Sequence, residues 1–226
     1  MTIRSTLVGV PAYNTRLLGD LSVPDVPHGV AVVAHTSGSN RWSPRERHLA
    51  GALRARRLAA LRLDLLTRDE ATVTAATRHA QPDVPLLAKR LVSAMDWLAK
   101  QAQFANLPIG YLGTGIGGAA ALAAAANRPH PLHAVVLVDG RTDHTAGSLD
   151  AVRAPTLLVA ARDNTDIVAM NERAFQRLRC LKHLELIDGV SSVLDEQHAL
   201  DEAARLTSEW FERFLHLSHS AGAPVS

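Results

Sequence analysis

Leu107-Pro108-Ile109-Gly110-Tyr111-Leu112-Gly113-Thr114-Gly115-Ile116-Gly117-Gly118 runs directly into Ala119-Ala120-Ala121-Leu122-Ala123-Ala124-Ala125-Ala126. An apolar run, a glycine-rich turn and an alanine-rich run read as a strand–turn–helix junction. Two chemistries use such a junction. In the pattern G-x-S-x-G, a sharp elbow exposes a nucleophilic serine or cysteine at the strand end. In G-x-G-x-x-G, the glycines let a pyrophosphate approach the helix N-terminus. The centre of the first pattern falls on Gly115, which has no side chain to attack with. The second is met by Gly113, Gly115 and Gly118. Asp139 then ends the next apolar run, about 20 residues on, where a dinucleotide-binding unit places its ribose acid.

Outward from this junction, strand and helix patterns alternate. Residues 6–10 and 17–23 read as two short strands forming a hairpin or edge pair, and 29–34 as a strand buried on both faces. Ser43 and Pro44 open a helix to about Arg56 as N-cap and first helical residue. A strand over 58–65 follows. Residues 69–84 are polar and without a strong period, a loop or short helix covering the sheet edge. Leu87, Leu91, Met95 and Leu98 predict an amphipathic helix over 85–103. Further strands are predicted at 109–112, 134–138, 156–160 and 184–187, with helices at 167–178 and 200–217. This order predicts βαβ units: a mostly parallel central sheet of about 7–8 strands, helices on both faces and no large cap domain. One domain is expected over 1–217, with a flexible tail over 218–226.

The 226 residues are 47% hydrophobic and 20% charged with a net charge of +2, the profile of a soluble globular protein. Arg45, Arg47, Arg54, Arg56 and Arg57 share a helix region with Leu49, Leu53 and Leu58. They read as a solvated helix face, since no aromatic or glycine-rich nucleic-acid pattern accompanies them. Cys180 is the single cysteine and can form no internal disulfide. No secretory pattern opens the sequence and no apolar run is long enough for a membrane span, so a cytoplasmic protein is expected. The 11 histidines show no metal-ligand spacing, and His216 and His219 read as exposed. No metal, cofactor, nucleic acid or membrane is expected. A homo-oligomer is compatible with the sequence.

In a parallel sheet, ligands bind at the carboxyl ends of the strands. Function is therefore sought in the loops at His35–Ser39, Gly113–Gly118, Asp139–Arg141, Ala161–Asp163 and Gly189–Ser192. With Ser43-Pro44-Arg45, Leu63-Asp64-Leu65-Leu66-Thr67, Pro108-Ile109-Gly110-Tyr111, Ala154-Pro155-Thr156 and the Arg162-Asp163 pair, the order of segments resembles the dienelactone hydrolase-like branch of the α/β-hydrolases. The resemblance spans residues 5–217. Members of that branch show HGSGS in the first loop, G-x-S-x-G at the elbow, an RD pair after the next-to-last strand and G-x-x-H after the last. It implies an α/β-hydrolase fold with Asp163 at the acid position and Gly115 at the nucleophile position. Ser192, three residues after Gly189, takes the histidine position. It also implies an oxyanion loop at His35, Thr36 and Ser37, with Thr36 in place of a glycine, and a pocket reaching Thr114, Ile116 and Arg141.

Two of three triad members are thereby replaced. Acyl transfer needs an oxygen or sulfur nucleophile beside a base, and neither Gly115 nor Ser192 supplies its part. The elbow backbone of such enzymes is strained by roughly 1–3 kcal/mol, which glycine relieves. The reading that follows is a pseudo-hydrolase with a binding, scaffold or regulatory role and a small-molecule ligand in the vestigial pocket. One alternative is non-covalent chemistry in the same pocket (a lyase, isomerase, cyclase or water-activating hydrolase) through His35, Asp163 or Arg141. Another is dinucleotide binding through Gly113, Gly115 and Gly118. Thr114, His198 and Cys180 are the weaker candidates for restoring a nucleophile or base, and Arg141 and Asp143 are expected to bind an anion or each other.

Overall fold

The computed structural model describes residues 4–35, 43–76, 83–127, 131–145 and 149–216. The predicted hairpin is formed by β1 (Arg4–Ala12) and β2 (Thr15–Val23), two nine-residue strands that are longer than their apolar runs. The polar ends are recruited because the ladder pairs every residue from Arg4↔Val23 to Ala12↔Thr15. There follow β3 (Gly29–His35), α1 (Pro44–Ala55), β4 (Leu58–Asp64), α2 (Arg68–Ala76) and α3 (Val84–Ala99). The second half contains β5 (Ile109–Thr114), α4 (Gly115–Ala126), β6 (Ala134–Val138), β7 (Thr156–Ala161), α5 (Thr165–Arg177), β8 (Lys182–Ile187) and α6 (Gln197–Phe214). Two single-turn 3-10 helices, Thr142–His144 and Leu149–Ala151, lie between β6 and β7.

The eight strands form one sheet in the order β1-β2-β4-β3-β5-β6-β7-β8. From β4 to β8 all pairings are parallel, and β2 alone runs antiparallel to both its neighbours. The central strands β5, β6 and β7 are buried throughout, as continuous apolar runs require. One face packs on α1 and α6 through Leu49, Leu53, Ala203 and Phe211. The other packs on α3, α4 and α5 through Leu87, Leu91, Ala120 and Ala174. This is the α/β-hydrolase architecture, with no separate cap among the described residues.

The stretch read as a loop or short helix is the helix α2. Its weak apolar period hides a polar anchor, a reciprocal capping box. The Thr67 backbone N–H donates to Glu70 Oε2 (2.9 Å) and the Glu70 N–H donates to Thr67 Oγ1 (3.3 Å). Glu70 in turn holds the fully buried Arg90 of α3 with two bonds of 2.7 Å.

Three arginines in and near α1 have acidic partners. Arg45 pairs with Asp195, Arg56 with Glu209 and Glu212 of α6, and Arg62 with Asp20 inside the sheet. No helix among the described residues is long and apolar enough to cross a membrane. The expected tail, 218–226, lies outside the described residues.

Candidate functional site

The elbow is built by the sheet itself. Thr114 ends β5 in extended conformation and α4 begins on the next residue, so the chain must reverse within one peptide. Gly115 does this with φ +51°, and a Cβ placed on it meets no atom of the described residues within 4 Å. The position is therefore left-handed and open, the geometry that pushes a nucleophile side chain out over a strand end. The segment after β6 runs beside it, with the Arg141 N–H donating to the Gly115 carbonyl at 2.9 Å.

The other turn glycines are set by packing. A Cβ on Gly113 would stand 2.5 Å from the Gly117 carbonyl oxygen, and one on Gly118 would stand 3.1 Å from Gly140 Cα. These glycines are explained by strand and helix crossing closely, without any phosphate. Thr114 is buried, and its hydroxyl donates to Glu46 Oε1 of α1 at 3.1 Å. It faces into the protein, which weakens it as a substitute nucleophile. Ile116 is half-buried in the first turn of α4.

Sequence spacing puts the acid at Asp163, in the turn after β7. Its backbone N–H donates to the Val190 carbonyl at 3.2 Å, tying the β7 and β8 loops together. Its carboxylate is exposed and makes no hydrogen bond or ion pair among the described residues. Another carboxylate occupies the ground next to Ser192. Asp139, read from sequence as a candidate ribose acid, follows β6 with φ +48°, and its side chain turns inward. Oδ1 accepts the Ala161 N–H (3.1 Å), while Oδ2 accepts the Val193 N–H (2.7 Å) and the Ser192 hydroxyl (3.5 Å). Burial pushes this carboxyl's pKa up, while the N–H donors of Ala161, Val193 and Leu194 and the Ser192 hydroxyl pull it back down. With its oxygens turned to the β7 and β8 loops, Asp139 is poorly placed to bind a ribose. The sequence signal for its real place was thin: aspartate tolerates a left-handed turn better than most residues.

Arg141 pairs with Asp143 through Nε (3.2 Å) and a terminal nitrogen (3.1 Å), and the latter also lies 3.4 Å from His144 Nε2. The mutual pairing expected of these two residues is formed. Hydrogen bonding to Asp143 raises the guanidinium pKa further. His35 closes β3, but its side chain lies outside the described residues, as do Thr36 and Ser37 entirely. His198 is exposed in the first turn of α6. Cys180 sits at the opposite end of the sheet, its sulfur 3.6 Å from Thr156 Oγ1. His216 is stacked on His28 with ring centroids 4.5 Å apart. Among the described residues no three His, Cys, Asp or Glu side chains are grouped to hold a metal ion.

The strand ends bring Asp139 beside Ser192 and the Arg141 backbone beside Gly115, with Asp163 on the turn after β7 that is tied to the β8 loop. No family model matches the chain. A solved dienelactone hydrolase from Anabaena variabilis is 41% identical, with a TM-score of 0.89 over 95% of this chain and 99% of that one. A dienelactone hydrolase-like promiscuous phosphotriesterase from metagenomic libraries has a TM-score of 0.72 over 92% of this chain and 98% of its own. At 18% identity, this likeness speaks to the fold alone. Two Mycobacterium tuberculosis proteins (strains CDC 1551 and H37Rv), provisionally named phosphoribosyl transferases, are 37% identical over 209 residues. Those residues are 92% of this chain and 46% of the relatives, so the chain spans about half their length.

Proposed function

We propose that this chain, which belongs to the dienelactone hydrolase family of α/β-hydrolases, is a pseudo-hydrolase that keeps the family's strand-end pocket for binding. The observation that carries this reading is Gly115: a left-handed elbow, open among the described residues, with no atom to attack a carbonyl. Ser192 adds to it. A hydroxyl cannot take up a proton at neutral pH, so a general base is missing at the same site. Asp139 already holds the Ser192 loop, so the pocket walls stay in place without catalytic chemistry. The ligand expected is a small molecule of ester-like size and polarity. A partner protein would read out its occupancy.

Restoring the two missing groups is the direct test. The native protein is expected to leave p-nitrophenyl acetate at its background rate, while Gly115→Ser with Ser192→His gains measurable hydrolysis. Turnover by the native protein well above background would end this reading.

The mycobacterial relatives favour a second reading, in which this fold serves a phosphoribosyl transfer system and the pocket takes a phosphorylated ribose. A thermal shift with 5-phosphoribosyl diphosphate, and none with acyl esters, would move the assignment there.

A further inference from the structure

We infer that Asp139, at the end of β6, is the positioning carboxylate of this pocket, serving position 192 in place of Asp163. The inference deepens the pseudo-hydrolase reading and rests on its equation of Ser192 with the histidine position.

A positioning acid has three physical requirements. It must reach the ring N–H of the base, be shielded from water, and be held by donors that fix its orientation. Asp139 lies beside position 192, is half-buried and is held by such donors. Its Oδ2 is 3.5 Å from Ser192 Oγ and 2.7 Å from the N–H of the next residue. An imidazole at 192 puts Cγ where the serine oxygen stands and Nδ1 one bond further, within reach of Oδ2. Oδ1 is fixed by the Ala161 N–H at 3.1 Å, so the carboxylate spans the ends of β6, β7 and the loop after β8. Its left-handed backbone, φ +48°, turns the side chain under that loop. The neighbouring segment runs beside the elbow through the Arg141 N–H on the Gly115 carbonyl.

Asp163 lacks the last two. Its carboxylate is exposed and without donors among the described residues. The adjacent Arg162 turns to Asp188 instead. In the present protein the Asp139 oxygens bind the 192–194 segment directly, doing for a serine what a triad acid does for a histidine. With a histidine at 192 and a serine at 115, the serine proton would pass to Nε2 while Asp139 accepts the Nδ1–H.

The test needs no catalysis. In Ser192→His, the introduced imidazole is titrated by NMR, alone and combined with Asp139→Asn or Asp163→Asn. Its pKa is expected above the ordinary value of about 6.5. Asp139→Asn should lower it by about one unit or more, and Asp163→Asn should leave it in place. A pKa indifferent to Asp139→Asn, or one that falls with Asp163→Asn, overturns the inference. If Asp139→Asn does not fold, the other two proteins decide: a raised pKa that survives Asp163→Asn supports Asp139, and an unraised one refutes it. A Gly115→Ser, Ser192→His protein without esterase activity would count against the pseudo-hydrolase reading and leave this titration standing.

Discussion

Gly113 and Gly115 stand two residues apart in one turn, yet their side chains are missing for opposite reasons. At Gly113 a methyl group would collide with the Gly117 carbonyl and Gly118 Cα, at 2.5 and 2.6 Å. Backbone cannot rotate away as a side chain can, so Gly113→Ala should cost about 3 kcal/mol, at the upper end for overpacking. At Gly115 space is open and only the left-handed φ of +51° resists a side chain. Gly115→Ala should then cost only about 1 kcal/mol. Urea unfolding of both variants compares them directly, and equal costs would contradict the open elbow. The glycine at the elbow was readable from the sequence, because the G-x-S-x-G frame locates its centre by counting. The orientation of the carboxylates was not. Counting finds an aspartate in the expected RD pair, but whether Asp163 or Asp139 points inward depends on two turn conformations. A left-handed φ at Asp139 leaves only a faint trace in residue type.

Elements with strong periods were legible because burial imposes the period: β6 falls on its apolar run, and α3 on the spacing of Leu87, Leu91, Met95 and Leu98. Helix α2 shows where that signal ends. Its anchor is a capping box and a buried ion pair, features of two or three residues rather than a stripe. Arg90 has no exposed surface, while the Glu70 side chain is 38% exposed. Removing the partners is therefore asymmetric. Glu70→Ala strands a guanidinium with only the Leu65 carbonyl at 2.8 Å and Asn14 Oδ1 at 3.4 Å. A cost of about 3 kcal/mol is expected, at the lower end for breaking a buried pair because Glu70 is partly wet. Arg90→Met should cost less, since the remaining carboxylate can turn to water. The Arg90 hydrogen bonds, helped by those of Thr67 and opposed by burial, hold the Glu70 carboxyl at about 2 against an ordinary 4.5. Its folded-state pKa is depressed, so this stability is full above the ordinary value and drains away as pH falls toward 2. Acid unfolding curves of Glu70→Gln should lack that limb.

On the scale of the whole molecule, the sheet separates two ends with different tasks. The carboxyl ends of the strands hold the glycine elbow and the Asp139 junction. The amino ends hold the closure of the chain, where α6 returns across the sheet to the start of β3. Phe211 covers Gly110 so closely that a Cβ there would lie 2.6 Å from the ring, and Leu215 packs at 2.7 Å from the corresponding position on Gly29. The last contact among the described residues is His216 stacked on His28, with the rings 3° from parallel. Burial lowers the His28 pKa, and the neighbouring His216 and Arg57 lower it further, while Glu212 opposes them. A histidine whose folded pKa is depressed takes up its proton more readily when unfolded. Stability is therefore independent of this group well above 6.5 and is lost as pH falls below that value, until the folded form also protonates. Asp139, with its raised carboxyl, acts with the opposite sign, so the net slope alone cannot be assigned. Comparison with His28→Gln isolates the joint. Between pH 7 and 5, the melting temperature of the native protein should fall by a few degrees more than that of the variant. Parallel curves for the two proteins would show that the α6 closure does not sense protonation.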